Sequence, residues 1–181
     1  GDHRDLHVRS RRQRQMCIRD RLRSSLLKSP KFRQIDMNDD QIDKTLYDFI
    51  GGRDVLEKVH KVFYDRVYAD PWLGQFFSEI DQTVIEVQQT DFMSQAMGGP
   101  ACYCGKLPIA AHKHMLISEE LFDLRSDYLK QSLNEVGVST EGQARWLKID
   151  QAFRKGIVKK SRDECELRYK TDEILDFKKV A

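Results

Sequence analysis

The sequence predicts an all-α domain, and three observations carry that reading. From Asp43 onward, apolar residues recur at three- and four-residue spacing. Gly51-Gly52, Asp70-Pro71 and Gly98-Gly99-Pro100 break this pattern at helix-length intervals. No segment alternates cleanly between apolar and polar, and there is no internal repeat.

Each element has its own signal. A short helix over Lys44–Ile50 stops at Gly51-Gly52, where positive φ is cheapest. The next helix carries Val55, Leu56, Val59, Val62, Phe63 and Val67 on one stripe. Asp70 and Pro71 then open a short turn through Trp72, Leu73, Phe76 and Phe77. Asp81 caps a helix with Val84, Ile85, Gln88, Phe92, Ala96 and Met97 facing inward, which ends at Gly98-Gly99-Pro100. Residues 101–108 read as loop, followed by a short helical piece around Ile109–Met115. Ser118 with Glu119 and Glu120 starts a long helix that ends near Gly137. Thr140 and Gln143 form a capping-box pair for a last helix bearing Trp146, Ile149, Phe153 and Ile157. Ser161–Ala181 is charged, has little to bury and reads as a frayed extension.

The formal charge of +2 over 181 residues misleads. Residues 1–36 hold eleven of the 31 basic and four of the 29 acidic residues, which leaves the remainder at −5. Gly1–His7 and Arg11–Asp20 read as in-frame translations of two fixed words of a transposon-type sequencing adapter, GGCGACCACCGAGATCTACAC and CGTCGGCAGCGTCAGATGTGTATAAGAGAC. Residues 1 to about 21 are therefore expected to be an assembly artefact, residues 1–36 an adapter-derived or disordered tail, and Met37 the native start. Without the tail, the charge argument for nucleic acid disappears. No run of eighteen apolar residues predicts a membrane span, so a cytoplasmic protein is expected. Apart from Cys17 in the tail, only Cys102, Cys104 and Cys165 are present, which is no disulfide framework.

Two features are odd for a plain helical bundle. Gln88 and Gln89 interrupt an apolar helix, and Tyr64 follows Phe63 on a stripe that should be buried. Buried amides and phenols are costly unless something satisfies them, and a bound polar ligand would do so. His112 lies in a short helix beside a glycine-containing loop, placed to reach a cavity.

The ordered set Leu46-Tyr-Asp-Phe-Ile-Gly-Gly52, Phe63-Tyr64-Asp-Arg-Val-Tyr-Ala-Asp-Pro71, Phe76-Phe77, Met97-Gly-Gly-Pro100, Tyr103 with Gly105, Ala111-His112-Lys-His-Met-Leu-Ile117 and Phe122 resembles the group 1 truncated haemoglobins. The resemblance spans about Leu46–Val158 and implies a truncated globin, a two-over-two helical sandwich around haem, here over residues 43–160. It implies His112 as the proximal iron ligand, Tyr64 as distal hydrogen-bond donor, Gln89 as its amide partner and Gln88 near the haem edge. Ile85 takes the position nearest the sixth coordination site, and Phe77 packs against the macrocycle. Phe63, Phe92, Met93 and Met97 line the cavity. His114, about 200° further round a helix, should not share the iron. Pro108, where the family favours an aliphatic residue, and the pair Cys102/Cys104 depart from the pattern.

The implied function is reversible binding of dioxygen, and of nitric oxide and carbon monoxide, at non-covalent haem b, since no C-x-x-C-H attachment motif is present. Oxygen transport or sensing and nitric oxide detoxification both fit, the latter with a separate reductase because the chain carries no flavin or nicotinamide domain. The competing reading is a haem-free helical module with zinc on Cys102, Cys104, His112 and His114. Its C-x-C and H-x-H spacings are poor for a closed tetrahedron.

Overall fold

A computed structural model describes residues 44–179. The expectations for residues 1–36 and for a start at Met37 lie outside the described residues. Helix α1 (Leu46–Ile50) is capped by the Thr45 hydroxyl, which accepts from the Asp48 amide. Gly51 ends it at φ 101°, where a Cβ would also fall 2.9 Å from Val55. Helix α2 (Gly52–Ala69) follows, then a 3-10 turn over Leu73–Phe77. Asp70 Oδ1 opens that turn by accepting from the Trp72 and Leu73 amides. Asp81 caps α3 (Gln82–Ala96) by accepting from Thr83 and Val84. The short α4 (Pro108–His112) precedes α5 (Glu119–Val136), which Ser118 caps and Gly137 ends at φ 81°.

Helix α2 packs against both α3 and α5, and α6 (Thr140–Gln151) lies alongside α5, as in a two-over-two sandwich. Leu56, Val59, Leu129, Leu133 and Trp146 are nearly inaccessible at its centre. Among the described residues there is no strand, only parallel bridges Met115–Leu175 and Ile117–Val158, and no helix is long and apolar enough to cross a membrane.

Three expectations about the C-terminal third are corrected. The cap of α6 is Ser139, whose hydroxyl accepts from the Gly142 amide. Gln143 instead donates to Asn134 and to the Val138 carbonyl. The last helix also breaks: α6 stops at Gln151, and α7 is only Arg154–Ile157. The turn between them places the Phe153 ring 5.8 Å from that of Phe92. Finally, residues 161–179 are not frayed. Leu175 and Phe177 pack on the core, and the Trp72 indole N–H donates to the Phe177 carbonyl at 2.7 Å. A buried indole N–H needs an acceptor, and this returning backbone supplies it.

His60 sits in the core at 1% exposure, its Nδ1 2.8 Å from Thr90 Oγ1 and its ring edge-on to Trp146. Burial lowers its pKa from 6.5 to about 3, and the Arg125 charge pushes the same way. A base depressed in the folded state contributes stability that is whole above its unfolded value and is lost as pH falls. As pH falls from 6.5 towards 3, proton uptake by this imidazole in the unfolded chain should therefore steepen the loss of stability. Denaturant titrations across that range should show His60→Leu lacking this increment. An equal slope in both proteins would contradict neutral burial.

Candidate functional site

A cavity of about 270 Å³ opens between α2, α3, α4 and α5.

Its walls follow from helix geometry. From α2 come Phe63 and Tyr64, with rings edge-to-face at 4.9 Å. From α3 come Ile85, Gln88, Gln89, Phe92 and Met93, spaced i, i+3, i+4, i+7 and i+8 on one face. Phe77 closes one side, edge-on to Tyr64 at 5.9 Å. Met97 does not line the cavity. It lies past the last turn of α3, buried in the core, and its carbonyl accepts from the Tyr47 amide.

His112 lines the cavity from α4 and is the only histidine among the described residues of the wall. Its Nδ1 lies 2.6 Å from the Pro108 carbonyl. A carbonyl can only accept, so Nδ1 carries the proton and donates it, and Nε2 keeps its lone pair. Burial pushes this imidazole down to about 4, which keeps it neutral, although the Pro108 bond opposes that shift. Pro108, the departure noted in the sequence, thus starts α4 as its first residue and orients the ring four residues on. His114 is 2% exposed and lies outside the cavity wall, with its Nδ1 unpartnered.

Three polar side chains of the wall are unspent. The Tyr64 hydroxyl and the Gln88 and Gln89 amides make no hydrogen bond to another described residue. Tyr64 is 5% exposed, and burial raises its pKa further above the ordinary phenol value, so it stays a proton donor.

Several site residues were not found from the sequence. Arg125 and Asp150, paired across α5 and α6, both line the cavity, with the guanidinium 5.1 Å from the Phe63 ring. Lys159, buried, donates to the carbonyls of His112, Met115 and Ile157 at 3.1, 2.9 and 3.1 Å, which fixes the end of α4. Burial lowers the Lys159 pKa, and three acceptors satisfy its three donors. Its one sequence signal is a cation next to the apolar pair Ile157-Val158. The zinc site does not form: Cys102 and Cys104 are exposed, and no three His, Cys, Asp or Glu among the described residues are grouped to hold a metal ion.

Residues 45–158 match the family described as bacterial-like globin. A group 1 truncated hemoglobin from Tetrahymena pyriformis is 32% identical over 117 residues, covering 65% of this chain and 97% of that protein. Another from Mycolicibacterium paratuberculosis is 35% identical over 97 residues, covering 54% of this chain and 71% of its own. The crystal structure of the Tetrahymena pyriformis protein in its Fe(III) form aligns with a TM-score of 0.60, covering 65% of this chain and 100% of that one at 32% identity. A 2/2 hemoglobin from a Synechococcus species, solved in the cyanomet state with covalently attached heme, aligns at 0.59 with 27% identity, covering 64% of this chain and 98% of its own. The chain belongs to the bacterial-like globin family, haem proteins that bind diatomic gases, and within it to the group 1 truncated haemoglobins.

Proposed function

We propose that the cavity holds haem b non-covalently on His112, and that the protein binds dioxygen reversibly on the opposite face beside Tyr64 and Gln89. The observation that carries this reading is the His112 imidazole. Among the described residues it is the one histidine in an otherwise largely apolar wall, its Nδ1 proton committed to Pro108 and its Nε2 lone pair free. Neutral imidazole nitrogen is a good iron ligand, and the second hydrogen bond sets its orientation. When bound, haem would supply a ferrous centre able to take a diatomic molecule, with His112 as the residue that would hold the iron.

The chain's own residues do the rest. Phe63, Phe77, Phe92 and Met93 exclude water. Tyr64 offers an O–H and Gln89 an N–H to the ligand, with Ile85 beside it and Gln88 towards the rim. Nitric oxide and carbon monoxide, being diatomic too, compete for the same position. Non-covalent binding is supported by a wall that, among the described residues, contains no cysteine and no histidine besides His112.

Haemin titration followed by visible spectra of the oxidised, reduced and oxygenated protein tests the proposal. Saturation at one haem per chain, a strong Soret band, a reversible oxygenated spectrum and full extraction of haem into acidic organic solvent are expected. Cys102→Ser combined with Cys104→Ser should leave that band unchanged. Stoichiometric zinc that vanishes in the double variant, with no haem uptake, would overturn the reading.

A further inference from the structure

The family match ends at Val158, yet the chain continues and returns to the site. The Glu166 amide donates to the Lys113 carbonyl at 2.8 Å, the Leu175 amide to His114 at 2.9 Å, and the Leu116 amide to Leu175 at 2.8 Å. These acceptors and donors directly follow His112. A second anchor holds the far end, where Phe177 meets the Trp72 indole and stacks edge-on to Phe76 at 4.9 Å. Between the anchors, Arg168 holds Asp172 through its backbone amide at 3.1 Å and its Nε at 2.8 Å, and its side chain joins the cavity wall.

We propose that residues 162–179 are a strap over the proximal segment, and that it delivers Arg168 to hold a carboxylate of bound haem. The inference rests on the haem reading above and adds to it a binding residue from outside the family's matched region.

The cavity has apolar walls and a cationic edge. Lys106 also lines it, with its ammonium 4.3 Å from the centre of the Tyr169 ring and no carboxylate partner among the described residues. With Asp172 offsetting one charge, this edge keeps one positive charge in excess. Asp172 engages Nε and reaches one Nη2 proton at 3.5 Å, which leaves other guanidinium N–H groups free. A planar apolar molecule with carboxylates along one edge matches that distribution, and iron protoporphyrin carries two. Arginine suits the contact because its fork presents paired donors to a carboxylate.

The competing account makes Arg168–Asp172 only a staple within the strap. The two are separated by haem loss from the full-length protein to excess apomyoglobin, measured with iron protoporphyrin and with its dimethyl ester. Arg168→Met should release the free acid roughly tenfold faster than wild type, the equivalent of one charge-assisted hydrogen bond. It should release the ester at the wild-type ester rate, and Arg168→Lys should recover part of the loss. Haem should also slow tryptic cleavage after Arg168 and Lys170 in wild type more than the ester does. Equal acceleration of both porphyrins, or no change in either, overturns the carboxylate contact. A persisting Soret band in Arg168→Met would show that this failure leaves His112 ligation intact, whereas wild type without a Soret band would remove the underlying reading instead.

Discussion

His112→Gly should abolish the Soret band of the haem-supplied protein, and added imidazole should restore it. Among the described residues no other histidine lines the cavity, so none of them offers a substitute imidazole there. The lost ring leaves a space of imidazole's own shape, bordered by the Pro108 carbonyl that would accept the N–H of the added molecule. The backbone around position 112 should persist, because the ammonium of Lys159 holds the carbonyls of residues 112 and 115 from outside α4. Rescue therefore separates a lost ligand from a lost fold. Visible spectra with and without imidazole, alongside far-ultraviolet circular dichroism, read both. A full-strength band in the variant without imidazole would remove His112 from the iron.

How much of this was legible in the sequence depends on what kind of signal each feature leaves. Helix α3 is readable because its cavity face repeats at i, i+3, i+4, i+7 and i+8, and Asp81 marks its start. Met97 lies on the extrapolation of that face, but the helix ends at Ala96 and the extrapolation fails with it. Ser139 and Thr140 are adjacent residues with equal capping chemistry, so only the backbone turn decides between them. The charged residues at the wall and behind it were hidden for a different reason. Arg125, Asp150, Lys159 and Arg168 have surface-type side chains, and three of them are buried or paired by partners 25 to 47 residues away. The strap left the weakest trace. Ile174, Leu175 and Phe177 are too few to set a period in a charged run. Phe177 is held by Trp72 and Phe76, a hundred residues earlier, and Leu175 by backbone bonds to His114 and Leu116.

Tyr64→Phe should speed dioxygen release from the ferrous protein by roughly ten- to a hundredfold. Each net hydrogen bond to a charged or strongly polarised acceptor is worth about 1.5–3 kcal/mol, and that energy appears in the dissociation rate if the bond is lost on the way out. The phenol is suited to this role. It is buried and raised in pKa, so it stays protonated at any working pH, and no described residue takes its proton. Phenylalanine keeps the edge contacts with Phe63 and Phe77 while deleting only the hydroxyl. Carbon monoxide, which draws less negative charge, should respond less than dioxygen. Gln89→Leu should act in the same direction from the next turn of the wall on α3. If the two groups form one network, the double variant should fall short of the sum of the single effects. Stopped-flow release rates for wild type and the three variants decide the matter. Rates that cannot be told apart would mean that the Tyr64 hydroxyl does not face the ligand, and the distal assignment would have to be withdrawn.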